Sequence, residues 1–158
     1  MGVETTVMRD TVSLEGVVIE DTYDYFAQDD DGNVWYFGEA GSNFENGQLK
    51  DTAGSWEAGV DGAVPGIVMF GDLAAHVGET YQQELYVDEA EDAATLLSQR
   101  AILTIPYGTF ENVVMTYDFT LLDPKAQEVK FFAMGVGEIK SVNLITGEQA
   151  FLIEFTPP

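Results

Sequence analysis

The sequence predicts an all-β protein, an antiparallel meander curled into a β-barrel or half-barrel, with little helix. Residues 113–121, VVMTYDFTL, carry large apolar side chains at every odd position, as a half-buried strand does. The turn dipeptides Asp31-Gly32, Asn46-Gly47 and Thr146-Gly147 separate short alternating stretches. No long amphipathic helix interrupts them. About ten strands in one sheet twist strongly, which favours closure into a barrel.

Composition indicates a globular protein with a strongly acidic surface. The 158 residues favour one domain, 1–158, and 46% hydrophobic residues exclude a disordered acidic tail. The 28 Asp and Glu against 6 Lys and Arg give a formal net charge of −22. This charge repels nucleic acids and anionic lipid headgroups and favours cations. A saline or divalent-rich medium would screen the self-repulsion.

The chain has no cysteine, which excludes disulfides, thiolate metal sites and cysteine nucleophiles. No stretch approaches the ~18 apolar residues of a membrane span. No signal peptide is visible at the start of the sequence, MGVETTVMRD. We leave open a leader or lipid anchor removed upstream, and we expect a monomer or a weak oligomer.

Residues 22–39 combine many aromatics with many carboxylates and predict a hairpin with its turn at Asp31-Gly32. A two-residue loop pairs Asp29 with Val34 and, further down, Asp24 with Glu39. Alternation then gives one face these residues: Asp24, Phe26, Gln28, Trp35, Phe37 and Glu39. The opposite face receives Tyr23, Tyr25, Ala27, Val34 and Tyr36. A slip of one residue would exchange the faces.

The paired carboxyl groups of Asp24 and Glu39 lie among aromatics on this predicted face. Glycoside hydrolysis uses such a pair, one acid with a raised pKa and one base or nucleophile. The pair would equally suit a bound cation, and a solvated face or a barrel rim explains it without any function. In a chain with 28 carboxylates, chance pairs are common.

The acidic turn offers a second candidate, a calcium site formed by Asp29, Asp31 and Asn33, because hard cations bind several oxygen ligands. It is not an EF-hand, because the twelfth position counted from Asp29 is Ala40. The Asp-Gly pair is also what a type I′ turn prefers for backbone reasons alone. A further run of acids would complete a cation site if it folds next to the hairpin: Glu84, Asp88, Glu89, Glu91 and Asp92.

Other catalytic signatures are weak or missing. His76 is the only histidine, so a transition-metal site is not expected, and no G-x-S-x-G supports a serine nucleophile. There is no P-loop, dinucleotide fingerprint or basic patch. Residues 89–99, EAEDAATLLSQ, have a helical composition in the context of strands, and we expect a strand there.

Four segments carry a family resemblance: residues 24–39, 54–67, 105–114 (IPYGTFENVV) and 131–142 (FFAMGVGEIKSV). They resemble bacterial secreted or lipoprotein-type proteins related to the lipoprotein-carrier-like (LolA-like) open β-barrels. Tyr107 and Ala133-Met134 depart from the usual pattern. The resemblance implies an exported protein, periplasmic, cell-surface or extracellular, with a curved sheet and a concave face. It implies no activity and no catalytic residue.

These observations lead to three functional hypotheses. The first is an exported binding protein that holds a hydrophobic or amphiphilic small molecule in a barrel cavity. Its pocket residues would be Asp24, Phe26, Trp35, Phe37, Glu39, Trp56 and Tyr81. The second is a hydrolase or cyclase that uses the Asp24 and Glu39 carboxyls in that cavity. The third is a calcium-stabilised structural domain of the cell surface.

Overall fold

The computed structural model describes residues 1–157, and Pro158 lies outside the described residues. The all-β prediction is confirmed: the described chain forms thirteen β-strands and one short helix, α1 (Leu73–His76). Among the described residues, no helix has the length and apolar character needed to cross a membrane. The strands fall into two compact units, described separately below. The expectation of one domain over 1–158 stays a prediction.

Unit 1 comprises residues 1–71 and 82–91 and contains a seven-stranded antiparallel sheet. Its strands are β1 (Thr6–Leu14), β2 (Val17–Gln28), β3 (Val34–Glu45), β4 (Gln48–Asp51), β5 (Trp56–Glu57), β6 (Val64–Met69) and β8 (Glu84–Leu85). The order across the sheet is β1-β2-β3-β6-β8, and β4 and β5 also pair with β3. Strand β3 is therefore the centre of the sheet, with four pairing partners.

Unit 2 comprises residues 72–81 and the chain from residue 92 onward. Its sheet has the order β13-β12-β11-β10-β9-β7. The strands are β7 (Thr80–Gln82), β9 (Asp92–Ile105), β10 (Gly108–Thr120), β11 (Gln127–Ala133), β12 (Gly137–Asn143) and β13 (Gln149–Phe151). Strand β9 confirms the expected strand within 89–99 from Asp92 onward. The residues just before it form a turn closed by the Tyr86–Ala90 bridge.

The predicted single curled sheet is not what the described residues form. There are two open antiparallel sheets, and no closed barrel is found among residues 1–157. A meander requires each strand to pair with its neighbours in sequence. Here β6 pairs with β8 and skips β7, which pairs with β9 in the other sheet. This crossover divides the strands, and no local pattern in the sequence encodes it.

The predicted hairpin of β2 and β3 forms, but its pairing changes register partway along the strands. Below the turn Phe26 pairs with Tyr36, one residue away from the predicted partner, whereas Asp24 pairs with Glu39 as predicted. The difference is a bulge at Phe37-Gly38, where β3 has one residue more than β2. The predicted pairing of the upper hairpin is thus wrong. The extra residue shifts the pairing above the bulge by one position. Tyr36 rather than Phe37 therefore shares the face of Asp24 and Phe26.

Gly38 is the residue that permits this bulge. Its φ of 138° suits glycine alone, and a Cβ built there would lie 2.3 Å from the carbonyl oxygen of Trp56. Strand β5 can therefore pair directly, Gly38 with Glu57 and Glu39 with Trp56. The bulge sets the register of the hairpin and also seats β5.

Each unit has its own small hydrophobic core. The core of unit 1 is built around two aromatic contacts of Tyr36, a stack on Phe26 at 4.9 Å between ring centroids and an edge contact with Trp56 at 5.4 Å. Ala58, Ala63 and Ala90 complete it. The core of unit 2 consists of Ile105, Val113, Ala133 and Ile139. Small domains are only marginally stable. A single backbone or core substitution in either unit should therefore lower the free energy of unfolding measurably.

We expect Gly38→Ala to destabilise unit 1 by about 2–4 kcal/mol, since the added methyl meets a backbone oxygen and the φ is unfavourable. Urea unfolding followed by tryptophan fluorescence measures this, because Trp35 and Trp56 both belong to unit 1. The matched control is Gly41→Ala in the same strand, where a Cβ meets nothing closer than 3.4 Å. Equal losses for the two variants would show that the close approach at Gly38 is unimportant.

Candidate functional site

Two carboxyl groups and one phenol meet on one face of the unit 1 sheet. The Tyr36 hydroxyl lies 2.6 Å from Asp24 Oδ1 and 2.8 Å from Glu39 Oε2. The register brings them together: Asp24 of β2 pairs with Glu39 of β3, and the bulge turns Tyr36 toward both. Asp24 is only 8% exposed. The sequence predicted the carboxyl pair but missed Tyr36, although a glycine inside a strand pattern is a signal for a bulge.

The two contacts of the Tyr36 hydroxyl favour one more proton than the phenol alone supplies. A phenol donates one hydrogen bond, yet its oxygen is within bonding distance of two carboxyl oxygens. The second contact is favourable only when one carboxyl is protonated and donates to the phenol oxygen. Burial raises the pKa of Asp24, although the hydrogen bond from Tyr36 works against this, and the charge of Asp10 raises it further. We therefore place the extra proton on Asp24.

Tyr36 itself stays protonated. Burial raises the pKa of its hydroxyl strongly, and the charge of Glu39 raises it further. Both carboxyl oxygens bond to the same atom, so they are at most about 5.4 Å apart. That upper limit lies within the ~5–5.5 Å separation of the carboxyl groups of retaining glycosidases. The phenol oxygen, however, occupies the space where a reacting atom would sit.

The acidic turn is organised by one carboxylate, Asp29. Its Oδ1 accepts from the backbone N–H of Asp31 and Asn33 at 3.0 and 2.8 Å. Its Oδ2 accepts from Asn33 Nδ2 at 2.9 Å and Trp35 Nε1 at 2.8 Å. The bonds from Trp35 and Asn33 lower the pKa of Asp29. Because four donors satisfy this carboxylate, turn chemistry explains the acidic sequence.

A calcium site at Asp29, Asp31 and Asn33 stays a prediction. The Oδ1 of Asn33 already accepts from the Gly71 N–H at 3.0 Å, so one further predicted ligand oxygen is engaged. Within residues 1–157 no three Asp, Glu, His or Cys side chains are arranged to hold a metal ion. The acidic run begins in β8 at Glu84, continues through a turn and ends at Asp92, the first residue of β9.

A cleft of about 260 Å³ opens beside the hairpin in unit 1. Its lining combines aromatic and aliphatic side chains with polar groups and one carboxylate. The lining residues are Met1, Gly2, Val3, Thr5, Tyr25, Phe37, Glu57 and Ala58. The bulge turns Phe37 away from the face of Asp24 and Glu39 and toward the side of Tyr25. Phe37 therefore lines this cleft. The predicted pocket residues include Phe37 but not Tyr25 or Glu57.

The seven predicted ligand-binding residues do not form one pocket. Asp24 and Glu39 bind the Tyr36 hydroxyl, and Trp35 binds Asp29. Phe26 and Trp56 pack in the core of unit 1. Trp56 is buried, and its indole N–H has no hydrogen-bond partner among the described residues. Tyr81 belongs to unit 2, where burial and the charge of Asp118 raise its pKa. Only Phe37 lines the cleft.

Unit 2 carries a charged row on one sheet face that the sequence reading missed. The Lys130 ammonium lies 3.7 Å from Asp118 Oδ2 and 3.9 Å from Glu128 Oε2. Asp118, 7% exposed, also accepts a hydrogen bond from Thr116. Burial works against the charge of Lys130, but the surrounding carboxylates, Asp118 foremost, outweigh it and raise the pKa. The signal was present: a lysine opposite a polar residue of an alternating strand in a very acidic chain.

Comparisons with protein-family models, with curated proteins and with solved structures found no match to this chain.

We expect Asp24 to make the protein less stable as pH rises. In the unfolded chain this carboxyl ionises at its ordinary pKa of 3.8, whereas the folded protein retains the proton to higher pH. Above 3.8, stability therefore falls until the raised pKa is passed, by at most about 1.4 kcal/mol per pH unit. Asp24→Asn should remove this slope, as measured by urea unfolding across pH.

Asp21→Asn is the matched control for this measurement. Hydrogen bonding to Arg9, at 2.7 Å, lowers the pKa of Asp21, so its contribution is lost as pH falls rather than as it rises. This variant should keep the Asp24 slope and change only the acid side of the profile. An unchanged slope in Asp24→Asn would show that the extra proton is located elsewhere.

Proposed function

We propose that this chain is an exported binding protein that holds a small apolar or amphiphilic molecule in the cleft of unit 1. The observation that carries the proposal is the lining of that cleft, with Tyr25 and Phe37 beside the carboxylate of Glu57. Ligand sites combine a mostly apolar wall with a few polar groups that orient the ligand. The resemblance to exported half-barrel proteins supports the location and an open, curved sheet as the scaffold.

The size and charge of the cleft define the ligand class. An apolar cavity of about 150 Å³ accommodates benzene. A cleft of about 260 Å³ therefore suits a molecule of one or two rings, or a short alkyl chain. Glu57 and the net charge of −22 favour a cationic or neutral polar group and disfavour an anionic one. The proposed ligand is thus a small aromatic or alkyl ammonium compound, or a neutral analogue.

The two alternative functions receive less support. A hydrolase or cyclase built on Asp24 and Glu39 needs room between these carboxyls, and the Tyr36 hydroxyl occupies it. A calcium-stabilised domain needs free oxygens in the acidic turn, and those of Asp29 accept four hydrogen bonds. A rise of the melting temperature in millimolar calcium would favour this last alternative.

Calorimetric titration with an alkyl ammonium, the alkyl alcohol and the alkyl sulfate of equal chain length tests the proposal. We expect the ammonium to bind best and the sulfate worst, with Glu57→Gln removing that preference. Phe37→Ala should weaken binding about ten- to a hundredfold, the effect of removing a buried phenyl group.

Phe44→Ala is the matched control, since Phe44 belongs to the same strand and does not line the cleft. Circular dichroism checks that both variants are folded. The proposal fails if no compound of the panel binds at millimolar concentration. It also fails if the two phenylalanine variants weaken binding equally.

A further inference from the structure

Two loops at one end of the unit 2 sheet expose large aliphatic side chains. The loop after β10 carries Leu121 and Leu122, 81% and 44% exposed, and the loop after β12 carries Leu144 and Ile145, 52% and 54% exposed. Both loops lie at the same end, because β10 and β12 run parallel to each other on either side of β11. We call these four side chains the aliphatic tip.

Hydrogen bonds hold the two loops together. Asn143 Oδ1 accepts from the N–H of Ile145 and Thr146 at 3.0 and 2.9 Å, while its Nδ2 donates to the carbonyl of Lys125 at 3.2 Å. The Leu144 N–H donates to the carbonyl of Gln127 at 2.8 Å. The backbone that carries the tip is therefore fixed, and these side chains stay in solvent because of the turn geometry.

Charges of both signs border the tip. The same two loops carry the carboxylates of Asp123 and Glu148 and the ammonium of Lys125, all exposed. Asp123 also accepts a hydrogen bond from the Lys125 N–H at 2.9 Å, which closes the first loop. This mixture complements a zwitterionic headgroup, with carboxylates for its cation and the lysine for its phosphate.

We propose that the aliphatic tip inserts into the surface of a zwitterionic lipid bilayer. Large exposed apolar patches mark contacts with proteins or with membranes. Here the side chains are aliphatic and protrude from loops, without the Trp, Tyr or Arg that dominate protein interfaces. A deformable apolar phase accepts such protrusions without a shaped groove. The net charge of −22 opposes anionic lipids. This binding does not depend on the cleft of unit 1.

Cosedimentation of the full chain with vesicles of phosphatidylcholine tests the proposal. We expect binding that persists as salt is raised, since it depends on apolar contact. Leu121→Ser combined with Ile145→Ser should weaken it at least about tenfold. The matched control combines Ile102→Ser with Met134→Ser, two side chains that are 70% and 97% exposed elsewhere in unit 2. This control should bind like the unchanged protein.

A gain-of-signal variant gives a second readout. Leu121→Trp should show a blue shift of its tryptophan emission with phosphatidylcholine vesicles and none with vesicles rich in phosphatidylglycerol. Absence of binding to phosphatidylcholine at millimolar lipid would overturn the proposal, as would equal losses in the tip and control variants. Binding of the tip to another protein, with no binding to vesicles, would overturn it as well.

Discussion

The bulge at Phe37-Gly38 is the constraint on which the rest of unit 1 depends. One extra residue in β3 changes the register of the hairpin halfway along its length. It turns Tyr36 toward Asp24 and Glu39, where the phenol bridges two carboxyls, and turns Phe37 toward Tyr25, where both line the cleft. It also lets β5 approach within a distance that excludes any side chain on Gly38. The buried cluster, the cleft and the seating of β5 thus share one local cause.

The excess of carboxylates is managed differently in different parts of the chain. Backbone and indole N–H groups satisfy Asp29 in the exposed turn. In the buried cluster, the Tyr36 hydroxyl contacts both carboxyls, and burial raises the pKa of Asp24. In unit 2, the positive charge of one lysine, Lys130, offsets the negative charge of four nearby carboxylates, which raise the pKa of the lysine. For Asp24 and Asp118 these partners are required by burial, because a charge removed from water needs a donor, a proton or a counter-ion.

The two candidate binding features have opposite shapes but suit the same general class of ligand. The cleft of unit 1 is concave and suits one small molecule with a cationic or neutral polar group. The aliphatic tip of unit 2 protrudes and suits an extended apolar phase with zwitterionic headgroups. Both would select against anions, as the net charge of the chain does. A protein that binds amphiphilic molecules and also contacts bilayers would have use for both.

The strand content, the turn at Asp31-Gly32 and the pairing of Asp24 with Glu39 were predictable from the sequence, because alternation and turn residues are local properties. A strand within 89–99 was also predicted, and β9 forms it from Asp92 onward. Contacts between distant parts of the chain were needed to place β7 and β8 in different sheets and to exchange the faces predicted for Tyr36 and Phe37. Side chains alternate between the faces of a strand, so one unpaired residue reverses the face of every residue beyond it. A glycine at position 38 is required only because β5 packs against it.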